Sequence, residues 1–480
     1  MAIHTTGSSF IARQAKLDRQ IGIAIAGNTV QRATSSTTND ADTPLAVSHN
    51  SDKQKILFLS HYFPPEGNAP ASRVHEMCKR WVRDGHEVTV ITCAPNCPTG
   101  IVYKGYRNKL YSVDHVDGIR VVRVWTFIAA NKGKIRRSLN FLSFMITATL
   151  AAMIQRRPDV LVATSPQFFC GWAGTIVSKI RRLPFLLEIR DIWPESIAAV
   201  GAVKKRGLIR ILETMEQLMY RSATHIVTVG DGYRTQLARR GVDKDRISVV
   251  TNGVDREIFD VQNVASDAES VRERHHLAGR FVVSYIGTIG MASALSVVIR
   301  AAKILKDKGR WDINFMLVGD GATKDKLQHE AKLEGVDNII FTGRLDKLLM
   351  PAYLSASDAC LVHLKKQELF KSVLPSKMFE AAAMGKPILL GVQGCAADYL
   401  RDADAGIAFE PENEHQLVEA IEQLAANRDQ AHRFGQSARN YVLKNYDRDQ
   451  LSRDYITVIA KTRELAAHTH EEIEAAAALS

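Results

Sequence analysis

No CxxC pair and no cysteine–histidine cluster occurs in this sequence, so the common zinc-site patterns are missing. The six cysteines (Cys78, Cys93, Cys97, Cys170, Cys360 and Cys395) are scattered, and only Cys93 and Cys97 approach a pair. That spacing suits free thiols in a reducing compartment. Long apolar runs are also absent. Ile21 to Ala26 is too short and interrupted for a signal peptide, so export is not expected. Residues 138–155 carry no charge, but a helix of that length spans only roughly 27 Å, short of a hydrocarbon core. Leu139, Leu142, Ile146, Leu150 and Met153 fall on one stripe of it and Asn140, Ser143 and Thr147 on another. This is the pattern of an amphipathic helix of a soluble fold that leans on lipid, not of a membrane span.

Acidic residues are the scarcer charge: 52 Asp and Glu against 63 Lys and Arg leave a net +11. The basic groups come in short clusters: Lys132, Lys134, Arg136 and Arg137; Arg156 and Arg157; Arg181 and Arg182; Lys204, Lys205, Arg206 and Arg210. Aromatics are not interleaved with them and no nucleic-acid motif occurs, so nucleic acid is not an expected partner. A nucleotide diphosphate or an anionic membrane surface fits such a balance, and solvated helix ends are the plainer alternative.

What is present is enough for two domains. The chain has 480 residues, 46% of them hydrophobic and 24% charged, as in a soluble globular protein. Residues 1–53 read as a disordered tail of small and polar residues with no apolar period. Order begins at Lys55. Ile56–Ser60 reads as a strand, Phe63 to Asn68 as a Pro/Gly loop, Arg73, Met77 and Trp81 as a helix face, and Glu87–Ile91 as the next strand. That is a βαβ unit with a parallel sheet, and the rhythm continues at Val160–Ala163, Phe185–Ile189 and Ile226–Val229. It starts afresh at Phe281–Ile286, with a helix expected from about Ala292 to Leu305 and strands at Asn314–Val318, Ile339–Phe341, Ala359–Val362 and Pro387–Leu390. Two successive doubly wound α/β units follow, joined near Asn252–Asp255, with the cleft between them as the default site.

Three segments carry chemistry. Gly67 and Gly290 each lie between a strand and a helix, where backbone N–H groups can take a phosphate. Arg190 and Asp191 follow a buried-looking strand, placing a charged pair at the rim of the crevice. A structural ion pair with Trp193 as packing is the simpler alternative. Ser376, Lys377 and Glu380 open a helix behind Pro375, offering a cation and N–H groups to a diphosphate and a carboxylate to the two hydroxyls of a ribose. The plain alternative is a solvated Lys–Glu pair at i, i+3.

Taken in order, Phe63-Pro64-Pro65-Glu66, the stretch Glu188 to Glu195, Asn252-Gly253-Val254-Asp255, and Pro375 to Glu380 with Gly385-Lys386-Pro387 resemble glycosyltransferase family 4 over roughly residues 54–460. The likeness is greatest to its bacterial capsule, O-antigen and colanic acid branch. The resemblance implies a GT-B fold, α/β with two facing Rossmann-like domains and a C-terminal helix crossing back. The expected division is 1–53, an N-terminal acceptor-binding domain at 54–258, a C-terminal nucleotide-sugar domain at 259–440, and closing helices at 441–480. It implies sugar transfer with retention from a nucleotide-sugar, most simply a UDP-sugar, to a lipid-linked or polysaccharide acceptor. The site residues carried over are Glu380 on the donor ribose and Lys377, Ser376 and the Thr288–Gly290 loop facing the diphosphate, with Arg344 nearby. Arg190 and Asp191 would lie beside the reacting sugar, and Glu66, Gly67 and Asn68 on the acceptor side. No cofactor and no metal are expected; Asp402-Ala403-Asp404 has a metal-binding DxD shape but falls in a short turn. The protein is expected in the cytoplasm, peripheral to the inner face of the membrane.

Two positions depart from the family's pattern. Ser372 stands where many members carry a second Glu, and Cys395 where close relatives usually have Glu. Two other readings share the architecture: a sugar-nucleotide 2-epimerase, and a catalytically silent binding protein. The Pro-Ser-Lys and Arg-Asp-Ile-Trp-Pro motifs weigh against the first, and Glu380, Lys377 and Asp191 against the second.

Overall fold

The computed structural model describes residues 53–97, 99–129, 134–165, 167–192 and 206–478. The tail expected over 1–53 (Lys53 apart), Lys132, Lys204, Lys205 and the Trp193 to Ser196 part of the charged motif lie outside the described residues.

The first lobe is built on β1 (Lys55–Leu59), β2 (Glu87–Cys93), β3 (Tyr111–Val116), β4 (Ile119–Val124), β5 (Val160–Thr164), β6 (Phe185–Ile189), β7 (His225–Thr228) and β8 (Ile247–Val249). They form one sheet in the order β3-β4-β2-β1-β5-β6-β7-β8, parallel except for the β3–β4 pair. Its helices are α1 (Ala69–Arg83), α2 (Lys134–Met153), α3 (Phe168–Arg181), α4 (Arg206–Ser222) and α5 (Asp231–Arg239). The second lobe carries β9 (Phe281–Ile286), β10 (Ile313–Val318), β11 (Ile339–Gly343), β12 (Ala359–His363), β13 (Ile388–Gly391) and β14 (Gly406–Ala408). This sheet is parallel throughout, in the order β11-β10-β9-β12-β13-β14. Around it lie α6 (Ala265–Arg274), α7 (Ser296–Asp307), α8 (Lys324–Leu333) and α9 (Met350–Ser355). The lobe ends with α10 (Lys377–Ala383), α11 (Cys395–Asp402), α12 (Glu414–Ala426) and α13 (Arg428–Asn445), and α14 (Arg448–Ala478) follows.

The central strands β5 and β9 are buried at every position, as parallel strands covered on both faces must be. Helix α1 shows how local sequence sets an element. Asn68 caps it by accepting from the Ala71 N–H at 2.9 Å, Pro70 fits its first turn, and Val74, Met77, Cys78 and Trp81 form its buried face. One helix begins later than expected: Met291–Ser293 form a 3-10 turn and Ala294 is left-handed at φ 45°, so α7 starts at Ser296 rather than Ala292.

The Asn252–Asp255 segment is a joint between the lobes and the end of the chain. The Val254 N–H donates to Tyr446 O at 3.0 Å and the Arg448 N–H to Val254 O at 3.0 Å. A Cβ on Gly253 would come 2.4 Å from Tyr446 O, so only glycine permits that approach. Helix α14 then crosses back to the first lobe, where Leu451, Tyr455, Ile456 and Ile459 pack with Val74, Trp81 and Val250. All six cysteines are free. Among the described residues no helix is long and apolar enough to cross a membrane.

The uncharged helix α2 has two apolar faces. Its packed side is Phe141, Phe144, Ala148, Ala151 and Ala152, with Asn140 buried beside them, while the stripe from Leu139 to Leu150 faces outward.

Candidate functional site

Strand ends of both sheets open on one cleft, and the residues singled out in the sequence are arranged along its two walls. On the first wall, one oxygen of Glu66 and one of Asn68 shape the loop. Glu66 is buried, and its Oε1 accepts from the backbone N–H groups of Asn96 (2.8 Å) and Cys97 (2.9 Å). Burial raises its carboxyl above the ordinary range, although those two N–H groups pull the other way. Asn68 is the cap of α1. Gly67, between them, is the residue that faces across the cleft.

Arg190 leaves β6 with its backbone N–H on Ser165 Oγ at 2.8 Å. Its Nε and Nη1 are buried without a hydrogen-bond partner among the described residues. Burial brings its pKa down to about 10, against the opposing pull of Glu188. A buried guanidinium with idle donors is costly, and a bound anion would relieve it. Asp191 follows, and its charge bears on the buried Tyr233 of α5. Beneath this pair, Glu188 is held by Arg73 Nε at 2.9 Å and by Thr164 Oγ1. Arg73 also donates to Val250 O and Thr251 O, each at 2.7 Å, which binds the strand end to the interlobe joint. In sequence Arg73 is only part of a helix face; it lies on the buried side of α1, and the fold brings it to Glu188.

On the second wall, Gly287 and Gly319 let the ends of β9 and β10 approach closely. A Cβ on Gly319 would stand 1.9 Å from Gly287 O, and both residues have positive φ, 140° and 145°. The Tyr285 hydroxyl donates to Thr288 O at 2.8 Å and so pins the loop that runs on to Gly290. Lys377, first residue of α10, lies with Nζ 3.8 Å from the centre of the Tyr285 ring. A Cβ on Gly287 would be 3.4 Å from that Nζ, so the ammonium sits over the loop. It makes no ion pair with another described residue. Ser376 precedes it without a side-chain cap.

One turn on, the Glu380 carboxylate accepts no hydrogen bond from any described residue. Burial raises its pKa, while the charges of Arg448, Lys347 and Lys377 oppose the rise. Arg448 and Lys347 were not foreseen from sequence; Arg448 opens α14, so its place near Glu380 depends on the return of the chain's end. Asp402 of the DxD-shaped turn closes α11 and pairs with Arg401 at 3.2 Å.

The walls touch. A Cβ on Gly67 would come 3.0 Å from Arg344 Nη2, and Lys347 Nζ lies 3.4 Å from Glu76 Oε1 on α1. At the other side Gln236 Nε2 donates to Ser372 Oγ at 2.8 Å, and a Cβ on Gly232 would be 2.6 Å from Ser372 Cβ. Ser372, where a second Glu is usual in the family, is thus packed against the first lobe. Cys395 lies beside it at the start of α11, against Asp231 and the Gly232 backbone.

Residues 68–253 match the glycosyl transferase 4-like domain and residues 267–441 the glycosyl transferases group 1 family. The chain belongs to these glycosyltransferases. Among curated relatives of this glycosyltransferase, WcaI of Escherichia coli K12, named for a glycosyl transferase of colanic acid biosynthesis, is 26% identical over 84% of this chain and 99% of its own. The Escherichia coli O-antigen chain mannosyltransferase C is 22% identical over 53% of this chain and 66% of its own. Among solved structures, Anabaena HepE in complex with UDP and glucose matches with TM-score 0.64 at 17% identity, over 85% of this chain and 99% of that one. WaaG, a glycosyltransferase of lipopolysaccharide biosynthesis, matches with TM-score 0.60 at 16% identity, over 84% and 99%. The glycosyltransferase has the GT-B fold, with relatives in cell-surface glycan biosynthesis.

Proposed function

We propose that this glycosyltransferase takes a sugar from a UDP-sugar, retains its anomeric configuration, and delivers it to a lipid-linked or polysaccharide acceptor at the inner face of a membrane. The observation that carries the donor side is the pairing of an unspent carboxylate with an unspent ammonium one turn apart. Glu380 accepts no hydrogen bond from the described residues, which suits the two hydroxyls of a ribose. Lys377 sits over the Gly287–Gly290 loop, which suits a diphosphate. A carboxylate that must give up water is best matched by donors from the ligand. The UDP of HepE and the UDP–glucose complex of the same protein support this choice of nucleotide.

In this reading the leaving diphosphate collects negative charge as the glycosidic bond breaks. Lys377, held over the Tyr285 ring, is placed to stabilise it with little reorganisation, and Arg344 adds a cation from the exposed rim. The same cations supply the charge that a divalent metal would otherwise bring, so no metal is required. Arg190, with idle buried donors, and Asp191 would flank the transferred sugar. The closed contacts at Gly67–Arg344 and Gln236–Ser372 would exclude water, which protects the activated donor from hydrolysis.

The test is a panel of UDP-sugars and GDP-mannose, incubated with the purified protein and a membrane lipid extract or glycan. Nucleotide release is followed and the product linkage is read by NMR. Release with one UDP-sugar and a product of unchanged anomeric configuration is expected. Inversion would overturn the retaining assignment, exclusive use of GDP-mannose would overturn the nucleotide, and interconversion of donors without acceptor would point to an epimerase.

A further inference from the structure

Helix α2 places side chains of the wrong kind on its outer side. Leu139, Leu142, Ile146 and Leu150, with Ile154 just past the helix end, recur at spacings of three and four and form one outward stripe. Ile146, Leu150 and Ile154 are 52, 63 and 72% exposed. Single exposed apolar residues are ordinary, but a continuous row over roughly four turns is not.

The end of α3 extends the row. Arg157 donates to Arg181 O (2.9 Å) and Arg182 O (3.0 Å), and Arg181 donates to Ala152 O (2.7 Å) and Gln155 O (3.0 Å). These bonds fasten the two helix ends together, so exposed Ile180 joins Ile154, with Arg156, Arg157, Lys179 and Arg182 exposed around them. Charge is concentrated in the same segment. Between Asp117 and Glu188 the sequence holds eleven Lys and Arg but one acidic residue, Asp159, whose carboxylate accepts from the Lys55 N–H. That surplus of ten accounts for nearly all of the chain's net +11.

We propose that this stripe is a membrane-docking face, on which α2 lies in the headgroup layer of an anionic bilayer with its outer Leu and Ile side chains among the acyl chains. The flanking guanidinium and ammonium groups meet lipid phosphates, and no residue needs to cross the membrane. A second protein copy would set the exposed Arg136, Arg156, Arg157, Lys179 and Arg182 against the same groups of its own across a symmetric contact, whereas an anionic bilayer complements both the stripe and its rim. The inner side of the first turn points elsewhere. Arg137 lies over Phe141 at 5.3 Å, and its charge bears on Tyr62 and Cys97, beside the Gly67 loop. One helix therefore joins the docking face to the acceptor wall of the cleft. This inference deepens the reading of a membrane-side acceptor and rests on it only for its purpose, not for its test.

The test is flotation of the full chain with vesicles of phosphatidylglycerol and phosphatidylcholine, and with phosphatidylcholine alone, at low and high salt. Ile146→Glu/Leu150→Glu and the milder Ile146→Ser/Leu150→Ser are run beside the natural chain, with UDP binding and thermal unfolding as checks on the fold. The natural chain is expected to bind the anionic vesicles, with salt weakening the binding. The Glu pair should bind at least tenfold more weakly and the Ser pair at an intermediate level, both with unchanged UDP binding. Equal vesicle binding by natural chain and variants would overturn the proposal, as would no binding by the natural chain. A dimer that the substitutions dissociate would assign the stripe to a second copy instead. Absence of UDP binding in the natural chain, with vesicle binding intact, would sink the donor assignment and leave this face standing.

Discussion

Arg344 of the second lobe lies against Gly67 of the first, so closely that a Cβ on Gly67 would come 3.0 Å from Arg344 Nη2. A loop glycine of the first lobe and a cation of the second thus share one point of the cleft. Alanine at 67 asks Arg344, a flexible and exposed side chain, to move by a few tenths of an ångström, and valine asks for more. Gly67→Val is expected to lower kcat/KM by about tenfold or more, about 1.4 kcal/mol in transition-state terms, with little change in melting temperature. Steady-state kinetics with one donor and one acceptor would check it; unchanged kcat/KM would remove this contact from the account.

Glu380 makes the pH behaviour specific. Burial raises its pKa despite the cations near it, so the carboxylate protonates at a higher pH than an ordinary one. Donor KM is expected to rise as pH falls through that raised value, and Glu380→Gln should lack this acid limb. Ionised Glu380 acts on stability in the opposite direction. The native state holds the Glu380 proton more tightly than the unfolded chain, so ionised Glu380 disfavours folding above that range. At neutral pH Glu380→Gln should therefore unfold no earlier than the natural chain while binding donor poorly. A lower melting temperature with intact donor binding would contradict both halves.

Arg73 and Glu188 form a buried pair, with side chains 4% and 1% exposed. Removing the cation leaves a buried carboxylate without its main partner, so Arg73→Ala should cost about 3–5 kcal/mol. Glu188 would be raised by burial, but Arg73, Arg190 and Thr164 outweigh that and hold it below the ordinary range. Its stabilising contribution is present above the unfolded carboxylate value of about 4.3 and fades as pH falls through the lowered folded value. Chemical denaturation at pH 7 and below pH 4 would measure this, and Glu188→Gln should recover part of the loss in the Arg73→Ala background. Additive losses would contradict the pairing.

Much of this arrangement is written locally. Apolar runs ending in glycine loops mark the parallel strands. Asn252–Asp255 marks the joint between the lobes and Pro375-Ser376 the start of α10. What sequence hides are groups placed by the return of the chain. Arg448 comes near Glu380 only because α14 crosses back, and Lys347 and Arg73 act through partners far away in sequence. Helix α2 is legible as a helix, but its packed face is not. Phe141, Phe144 and the alanines offer a second apolar face as good as the leucine stripe, and periodicity alone cannot choose between them. Glu66 and Asn68 read in sequence as acceptor-side groups, and the fold adds that one oxygen of each shapes its own loop.

Metal dependence follows from the same charges. With Lys377 over the Gly287–Gly290 loop and Arg344 at the rim, transfer should persist in excess EDTA. Lys377→Ala should lose about 10²–10³ in kcat, the scale of removing one group that stabilises developing negative charge. Activity abolished by EDTA and restored by a divalent ion would overturn this part of the mechanism.

Calorimetric titration of UDP into the natural chain and Glu380→Ala asks whether Glu380 and Lys377 hold the nucleotide of the donor. Saturable one-to-one binding by the natural chain is expected, with about 10- to 100-fold weaker binding by the variant, because charge-assisted hydrogen bonds to a ribose are lost. Equal affinity of both proteins for UDP would contradict it and place the nucleotide elsewhere.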